Sequence, residues 1–188
     1  MSTDRQKSFI ATLGTRNNQL HCLDALLGEK AFITSNLVSG GFFSGRRQRY
    51  EVSHLLGLHQ EATTKVHPPL TLYFRHSRFG YTLYIRSKGH HYGKCIHVNK
   101  EGLIGAFPEP ESTSFMLLNS NCERINLDHI KTDTPTLYLQ VRDSGLIHPH
   151  KTHDSDYTFI ADKGAIPLPF TLNILERNAP YLNHPDEV

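Results

Sequence analysis

Apolar and polar residues alternate in short runs along much of this chain, and this alternation predicts β-strands. Residues 70–74 (LTLYF) and 170–174 (FTLNI) both return to an apolar side chain at every second position, the period of a half-buried strand. Further strand-like runs occupy residues 9–13, 81–85, 115–119 and 125–130. Because Gly or Pro separates many of these runs, the pattern predicts an all-β fold.

Two segments are compatible with more than one secondary structure. The leucines of residues 18–29 have helical spacing, although the position of residues 20–23 relative to the neighbouring strands favours a strand. Residues 53–58 have the composition of a short amphipathic turn or helix.

Three glycine-centred pieces indicate an internal repeat. The pieces are centred on Gly41, Gly102 and Gly145. Ile96 and Val98 precede Gly102 at the same spacing as Leu139 and Val141 precede Gly145, and a polar pair precedes each of these two glycines. A glycine after a polar pair is typical of a hairpin turn that needs a positive φ.

The repeat divides the chain into three units of about four strands each. They cover residues 8–76, 80–120 and 124–176, with insertions at 45–69 in the first and 156–167 in the third. The insertion at 156–167 is interpreted as an extra hairpin. We therefore expect one domain over 8–176, an N-terminal tail over 1–7 and a poorly ordered C-terminal tail over 177–188.

The strand-and-glycine pattern resembles the β-trefoil superfamily in its fascin and hisactophilin style. The segments that carry the resemblance are Ile96-His-Val98, Gly102-Leu-Ile104 and Phe115-Met-Leu117. The ricin-type subgroup is marked by Gln-x-Trp, and this chain has no Trp. The resemblance implies a six-stranded barrel capped by three hairpins, and a loop-borne binding function, most commonly for carbohydrate.

Composition and charge narrow the class of function. The chain has 188 residues, with 20 Lys plus Arg against 18 Asp plus Glu, which does not favour a dedicated nucleic-acid binder. The longest apolar runs are too short for a membrane-spanning helix. Cys22, Cys95 and Cys122 are odd in number and have no metal-binding spacing. We expect reduced thiols in a cytoplasmic protein, or one released without a classical signal peptide.

Aromatic and polar residues in two units fit a lectin-like site, because sugar recognition needs a ring for stacking and convergent polar groups. In the second unit these residues are Tyr92, His91 and Asn99. In the third unit they are Tyr138, Asp143 and His148. A carbohydrate-binding module is therefore the leading functional hypothesis, with a glycan as its partner.

An arginine cluster supports an alternative hypothesis. Arg46, Arg47 and Arg49 precede Tyr50, and guanidinium groups bind carboxylate, sulfate or phosphate through paired hydrogen bonds. An acidic glycan or a nucleic acid could dock there, as could a protein. The protein-binding alternative is an actin-binding, cytokine-like or inhibitor module.

A histidine-rich stretch supports a third hypothesis. His148, His150 and His153 lie close to Asp154 and Asp156, and imidazoles with carboxylates can ligate zinc, nickel or copper. The same histidines would gain charge as the pH falls through about 6.5. They therefore indicate a metal- or pH-responsive binder, a property that the hisactophilin resemblance also implies.

Enzymatic motifs are missing from the sequence. Neither a Gly-x-Ser-x-Gly elbow nor a phosphate-binding glycine loop is present. We therefore predict a non-enzymatic protein without a cofactor. The ligand, the number of working sites and the oligomeric state stay open.

Overall fold

The computed structural model describes residues 2–36, 47–60, 67–108, 113–153 and 155–180. The helices are α1 (Asp4–Lys7), α2 (Leu23–Leu27) and a 3-10 helix (Leu127–His129). The strands are β1 (Phe9–Gly14), β2 (Asn18–Cys22), β3 (Phe32–Asn36), β4 (Arg47–Glu51), β5 (Leu56–Gln60), β6 (Leu70–Ser77), β7 (Gly80–Ile85), β8 (Cys95–Val98), β9 (Ile104–Phe107), β10 (Phe115–Leu118), β11 (Arg124–Ile125), β12 (Thr136–Val141), β13 (His148–Lys151), β14 (Thr158–Ala161) and β15 (Phe170–Arg177). The predicted all-β class is confirmed.

Six antiparallel strands close into a barrel. Around the barrel the strand order is β1, β6, β7, β10, β12 and β15, and β15 pairs with β1 again. The pairing of Phe115 with Tyr81 joins β10 to β7 and closes the ring. Closure pairs the strand edges with each other, which protects them from association with other chains.

The barrel interior is filled by apolar side chains from alternate strand positions. In β1, Phe9, Ala11 and Leu13 are buried while the residues between them are half-buried. Phe9 stacks on Phe74 with ring centroids 4.5 Å apart. The sequence pattern of period 2 is therefore the pattern of inward-facing positions.

Further strands extend from the barrel. The order β13, β14, β5, β2 forms a four-stranded sheet, and β3 pairs with β4 in a separate ribbon. The hairpin of β8 and β9 continues the barrel sheet from β7. A second apolar cluster packs α2 and β14 against the residues just before β5, around Leu23, Leu55 and Phe159.

The predicted β-trefoil is wrong, because the repeat on which it was based does not join equivalent strands. Gly102 lies in the turn between β8 and β9, which are outside the six barrel strands, whereas Gly145 follows the barrel strand β12. Gly41 lies outside the described residues. The fascin- and hisactophilin-like resemblance is therefore corrected to an all-β fold with a closed six-stranded barrel and additional strands.

The physical reason for this error is the generality of the alternating pattern. Any strand with one buried face alternates apolar and polar residues, whichever sheet it joins. Equal spacing before Gly102 and Gly145 therefore identified two half-buried strands without showing that their partners correspond.

Of the predictions of local secondary structure, some were confirmed and others were wrong. Residues 18–29 contain both predicted forms, because β2 is followed directly by α2. Residues 53–58 form a turn and the start of β5 instead of a helix. In the run 125–130, only Ile125 belongs to a strand, and a 3-10 helix follows. The extra hairpin at 156–167 does not form within its described residues, since β14 is their only strand. The division into a domain and two tails stays a prediction.

Candidate functional site

The candidate site begins at α2, a helix of five residues that is held against β5. Leu23 and Leu26 are buried, and the Leu23 amide donates to the carbonyl of Leu55 at 2.9 Å. Gly28 ends the helix in the left-handed conformation with φ of 74°, which glycine adopts without a Cβ penalty. The buried leucines thus fix the helix and leave Asp24 and Ala25 half-buried on its outer side.

A loop after β7 forms the opposite wall. The amide of Gly93 donates to the carbonyl of Ile85 at 2.8 Å, and the amide of Ile85 donates to the carbonyl of Lys94 at 2.9 Å. Gly89 and Gly93 have φ values of 135° and 79°, a region that favours glycine. These hydrogen bonds return the chain on itself and carry His91 towards α2.

His91 joins the loop to the helix. Its Nε2 lies 2.8 Å from Oδ2 of Asp24, and its Nδ1 lies 3.1 Å from Nζ of Lys94. A protonated lysine only donates, so Nδ1 accepts and Nε2–H donates to the carboxylate. Burial lowers the pKa of His91, which agrees with a neutral ring in this chain of hydrogen bonds.

His21 and Cys22 lie beneath this connection. Burial lowers the pKa of His21 to about 4, and its Nδ1 accepts the Cys22 amide at 2.8 Å. Burial raises the pKa of the Cys22 thiol to about 12. The thiol is therefore protonated at neutral pH and is not a reactive nucleophile.

Cys22, Asp24 and His91 form a group of three potential metal ligands. Their ligand atoms lie within 4.8 Å of one another, and thiolate, carboxylate and imidazole are all zinc ligands. In this structure, however, both ring nitrogens of His91 already have hydrogen-bond partners. A metal would have to displace Asp24 or Lys94 from the ring.

Two adjoining cavities lie between α2 and the loop. They have volumes of about 380 Å³ and 400 Å³, and we name them together the α2 groove. Both are lined by His21, Ala25, Ser87 and Lys88. The first also contacts Asp24, Glu29 and His90. The groove therefore presents carboxylates, an amine, a hydroxyl and imidazoles from two separate elements.

Tyr92 lies beside this groove. Its side chain is 41% exposed, and its hydroxyl accepts a hydrogen bond from Nη1 of Arg86 at 2.9 Å. Arg86 itself lines the second cavity. Of the residues predicted for the second unit, His91 lines the α2 groove, whereas Tyr92 lines neither cavity and only contacts Arg86, which does.

Asn99, the third residue of that predicted set, has a local structural role. Its Oδ1 accepts the amides of Glu101 at 3.0 Å and Leu103 at 2.9 Å. These bonds shape the turn between β8 and β9. Asn99 is not among the residues that line the α2 groove.

The residues predicted for the third unit differ in exposure. Tyr138 is half-buried in β12, and Asp143 is exposed in the following turn with φ of 61°. His148 is buried at the start of β13. Among the described residues, no hydrogen bond connects these three side chains, and their role as a sugar site stays a prediction.

The arginine cluster lies on β4, where all five residues are exposed. The guanidinium of Arg49 lies 3.7 Å from the ring centroid of Phe32 on the paired strand. Arg47 begins β4, and Arg46 lies outside the described residues.

The predicted metal-binding histidines differ in environment. His148 is buried, whereas His150 and His153 are exposed. Asp154 lies outside the described residues. Among the described residues, the group with closely spaced ligand atoms is Cys22, Asp24 and His91 instead.

Sequence reasoning missed several residues of the α2 groove. Asp24 lies among the leucines of residues 18–29, which were considered only for their helical or strand spacing, and His21 lies in a short strand. Ser87 and Lys88 carry no motif. The one available signal was the polar interruption of an apolar run, which by itself does not predict a partner 67 residues away at His91.

Comparisons with known proteins give no assignment, because no family model, curated protein or solved structure matches this chain. Within the described residues, no helix has both the length and the apolar character needed to cross a membrane.

Proposed function

We propose that this protein is a non-enzymatic binding module that holds a carbohydrate in the α2 groove. The observation that carries the proposal is the convergence of polar groups from α2 and the β7–β8 loop on one cavity of about 380 Å³. Cavities of a few hundred Å³ are the usual size for small ligands.

The chemistry of the groove suits a polyhydroxylated ligand. Asp24 and Glu29 offer acceptors, Lys88 offers donors, and Ser87 offers both. Tyr92 has an exposed ring beside the groove on which the apolar face of a sugar can stack. The hydrogen bond between His91 and Asp24 links the two walls without a ligand, and Lys94 holds the other ring nitrogen of His91 within the loop. Walls that are already ordered reduce the entropy lost on binding.

The buried groups favour binding over catalysis. Cys22 adjoins Asp24 and His91, which line the groove, and burial raises its pKa to about 12. His91 is engaged at both ring nitrogens, so it has no lone pair free to accept a proton from a substrate.

The test is a glycan array followed by calorimetry on the saccharide with the strongest signal. Lys88→Ala removes a donor inside the groove, and Tyr92→Ala removes the stacking ring. Lys100→Ala is a matched control, because Lys100 is exposed in the β8–β9 turn. We expect each groove variant to weaken binding about tenfold, the effect of losing one charged hydrogen bond or one stacked ring.

Two outcomes would contradict the proposal. The first is an array without signal together with no saccharide-induced rise in melting temperature. The second is binding that Lys88→Ala and Tyr92→Ala leave unchanged. A loss confined to Lys100→Ala would locate the site at the predicted Asn99 turn instead.

The β3–β4 ribbon supports a second candidate, a protein-interaction module. All residues of β4 are exposed, including Arg47, Arg49 and Tyr50. The ribbon has two strands, so the outer edge of β4 can pair with a partner strand. If this surface binds a protein, Arg47→Glu with Arg49→Glu will abolish capture of the partner that the unaltered chain retains. Equal capture by both chains would contradict it.

A further inference from the structure

A second pocket lies at the far end of β7 from the α2 groove. It is about 240 Å³ in volume, and the residues that concern its chemistry are His76, Arg78, Tyr81, Arg124, Asn126 and His129. We name it the basic pocket. The α2 groove meets β7 at Ile85, whereas the basic pocket meets it at Gly80 and Tyr81. Four to five strand residues separate them, roughly 15 Å along the strand.

The framework of the basic pocket is fixed by close packing. Gly80 has φ of 122°, and a Cβ there would lie 2.5 Å from the carbonyl oxygen of Phe115. Only glycine allows the β6–β7 turn to approach β10 in this way. On the other side, the hydroxyl of Tyr81 accepts the Leu127 amide at 3.1 Å and donates to the carbonyl of Lys7 at 3.2 Å.

Two arginines line this pocket from different elements. Arg78 comes from the β6–β7 turn and Arg124 from β11. Arg78 lies with its guanidinium carbon 4.3 Å from the ring centroid of Phe79, within the range of a cation–π contact. Among the described residues, neither guanidinium has a hydrogen bond or an ion pair with a carboxylate.

An imidazole and an amide add further polar groups. Nδ1 of His129 lies 2.8 Å from Oδ1 of Asn126 and 3.2 Å from its backbone nitrogen. These contacts occupy Nδ1 and leave Nε2 as the ring atom for a ligand. An amide oxygen only accepts, so Nδ1–H donates in the 2.8 Å contact, and Nε2 of the neutral ring is then an acceptor.

Two carboxylates lie near the pocket without lining it, and one of them, Asp4, pairs with the lining residue His76. No Asp or Glu is among the described residues that line the pocket. Asp4 pairs with His76 at 2.7 Å, and Asp128 accepts a hydrogen bond from Ser2. The positive charge of the pocket therefore comes from Arg78 and Arg124, and no carboxylate among its described lining residues offsets it.

We propose that the basic pocket binds a tetrahedral dianion, either inorganic phosphate or sulfate or the same group on a small ester. Guanidinium pairs bind tetrahedral oxyanions through parallel N–H bonds, and two of them in one pocket add directionality to charge. The volume suits a single oxyanion with a short substituent. This site is independent of the α2 groove and of the proposed carbohydrate.

The experiment is calorimetric titration with three probes at constant ionic strength. The probes are inorganic phosphate, inorganic sulfate and glycerol 2-phosphate, so that free anion and ester are distinguished. The variants are Arg78→Gln and Arg124→Gln, singly and together. Arg142→Gln is the control, because Arg142 also stacks on Phe79 at 4.2 Å but does not line the pocket.

We expect one molecule bound per chain, about tenfold weaker binding for each pocket variant and unchanged binding for Arg142→Gln. Both arginines are exposed, so the unfolding midpoint in urea should stay the same. The proposal is overturned if the unaltered protein gives no heat with any probe at millimolar concentration. It is also overturned if the double variant binds as the unaltered protein does. If Arg142→Gln weakened binding as much as the pocket variants do, binding would reflect general charge attraction, and the proposed site would be rejected.

Discussion

Removal of the Tyr81 hydroxyl tests how much the hydrogen bonds between the barrel and its flanking helices contribute to stability. Tyr81 is 2% exposed, and its ring packs at 5.6 Å from Phe9 and 6.2 Å from Phe74. Its hydroxyl bridges the amide of Leu127 and the carbonyl of Lys7. It therefore connects the barrel interior to the 3-10 helix and to α1. Tyr81→Phe keeps the ring contacts and deletes only this bridge.

The expected cost follows from the groups that lose their partner. The Leu127 amide is left buried without an acceptor, and an orphaned buried donor costs about 1–3 kcal/mol. The Lys7 carbonyl is half-buried, so water can replace part of its lost bond. We expect the free energy of unfolding to fall by about 2 kcal/mol from the lost hydrogen bonds alone, because the phenyl ring keeps the apolar packing of the tyrosine ring.

Equilibrium unfolding in urea measures this change. With a slope of about 2 kcal/mol per molar urea, the midpoint should fall by about 1 M at constant slope. Tyr138→Phe is the matched control, because Tyr138 is half-buried in β12 and its hydroxyl has no hydrogen-bond partner among the described residues. The control should stay within about 0.5 kcal/mol. Equal midpoints for Tyr81→Phe and the unaltered protein would refute the bridging role.

Three further predictions concern packing, titration and thiol access. Gly105→Ala should lower the free energy of unfolding in urea by about 1–3 kcal/mol, because a Cβ there would lie 2.8 Å from the backbone oxygen of His54. Gly14→Ala is the control and should leave this free energy unchanged, because a Cβ at Gly14 would have no atom within 4 Å. Burial lowers the pKa of His21 from 6.5 to about 4, so the unfolded chain takes up this proton first and stability should fall as the pH drops from 6.5 towards 4. His21→Asn should flatten that fall, and an unchanged slope would contradict the assignment. Iodoacetamide should modify exposed Cys122 alone in the folded protein, with buried Cys22 and Cys95 reacting only after denaturation.

The sequence was informative about strands because burial on one face leaves a direct trace. Runs such as residues 70–74 and 170–174 lie within β6 and β15 as predicted. Their alternation reflects inward and outward positions on a barrel wall. The existence of an all-β core was therefore predictable from local pattern.

The arrangement of the strands was not predictable in the same way. Ile96 and Val98 belong to a hairpin outside the six barrel strands, whereas Leu139 and Val141 belong to the barrel. Both pairs lie on the buried face of their strand, so both show the same alternation of apolar and polar residues before the glycine. Which strands pair is decided by long-range contacts that alternation does not encode.

The candidate site was predictable in part for a related reason. Tyr92 and His91 stood out because an aromatic ring beside imidazoles suggests a polar binding surface. Asp24 did not, because its importance depends on meeting His91 across 67 residues of sequence. A contact of that kind follows from the placement of α2 against the β7–β8 loop and leaves no local signature.

Residue-by-residue mapping of saccharide binding tests the central claim most directly. Backbone amide chemical shifts are followed by NMR while common mono- and disaccharides are added to the isotope-labelled protein. We predict that the shifts concentrate at residues 24–30 and 85–91, the two walls of the α2 groove. Shifts confined to other regions, or no shift with any saccharide, would contradict the account.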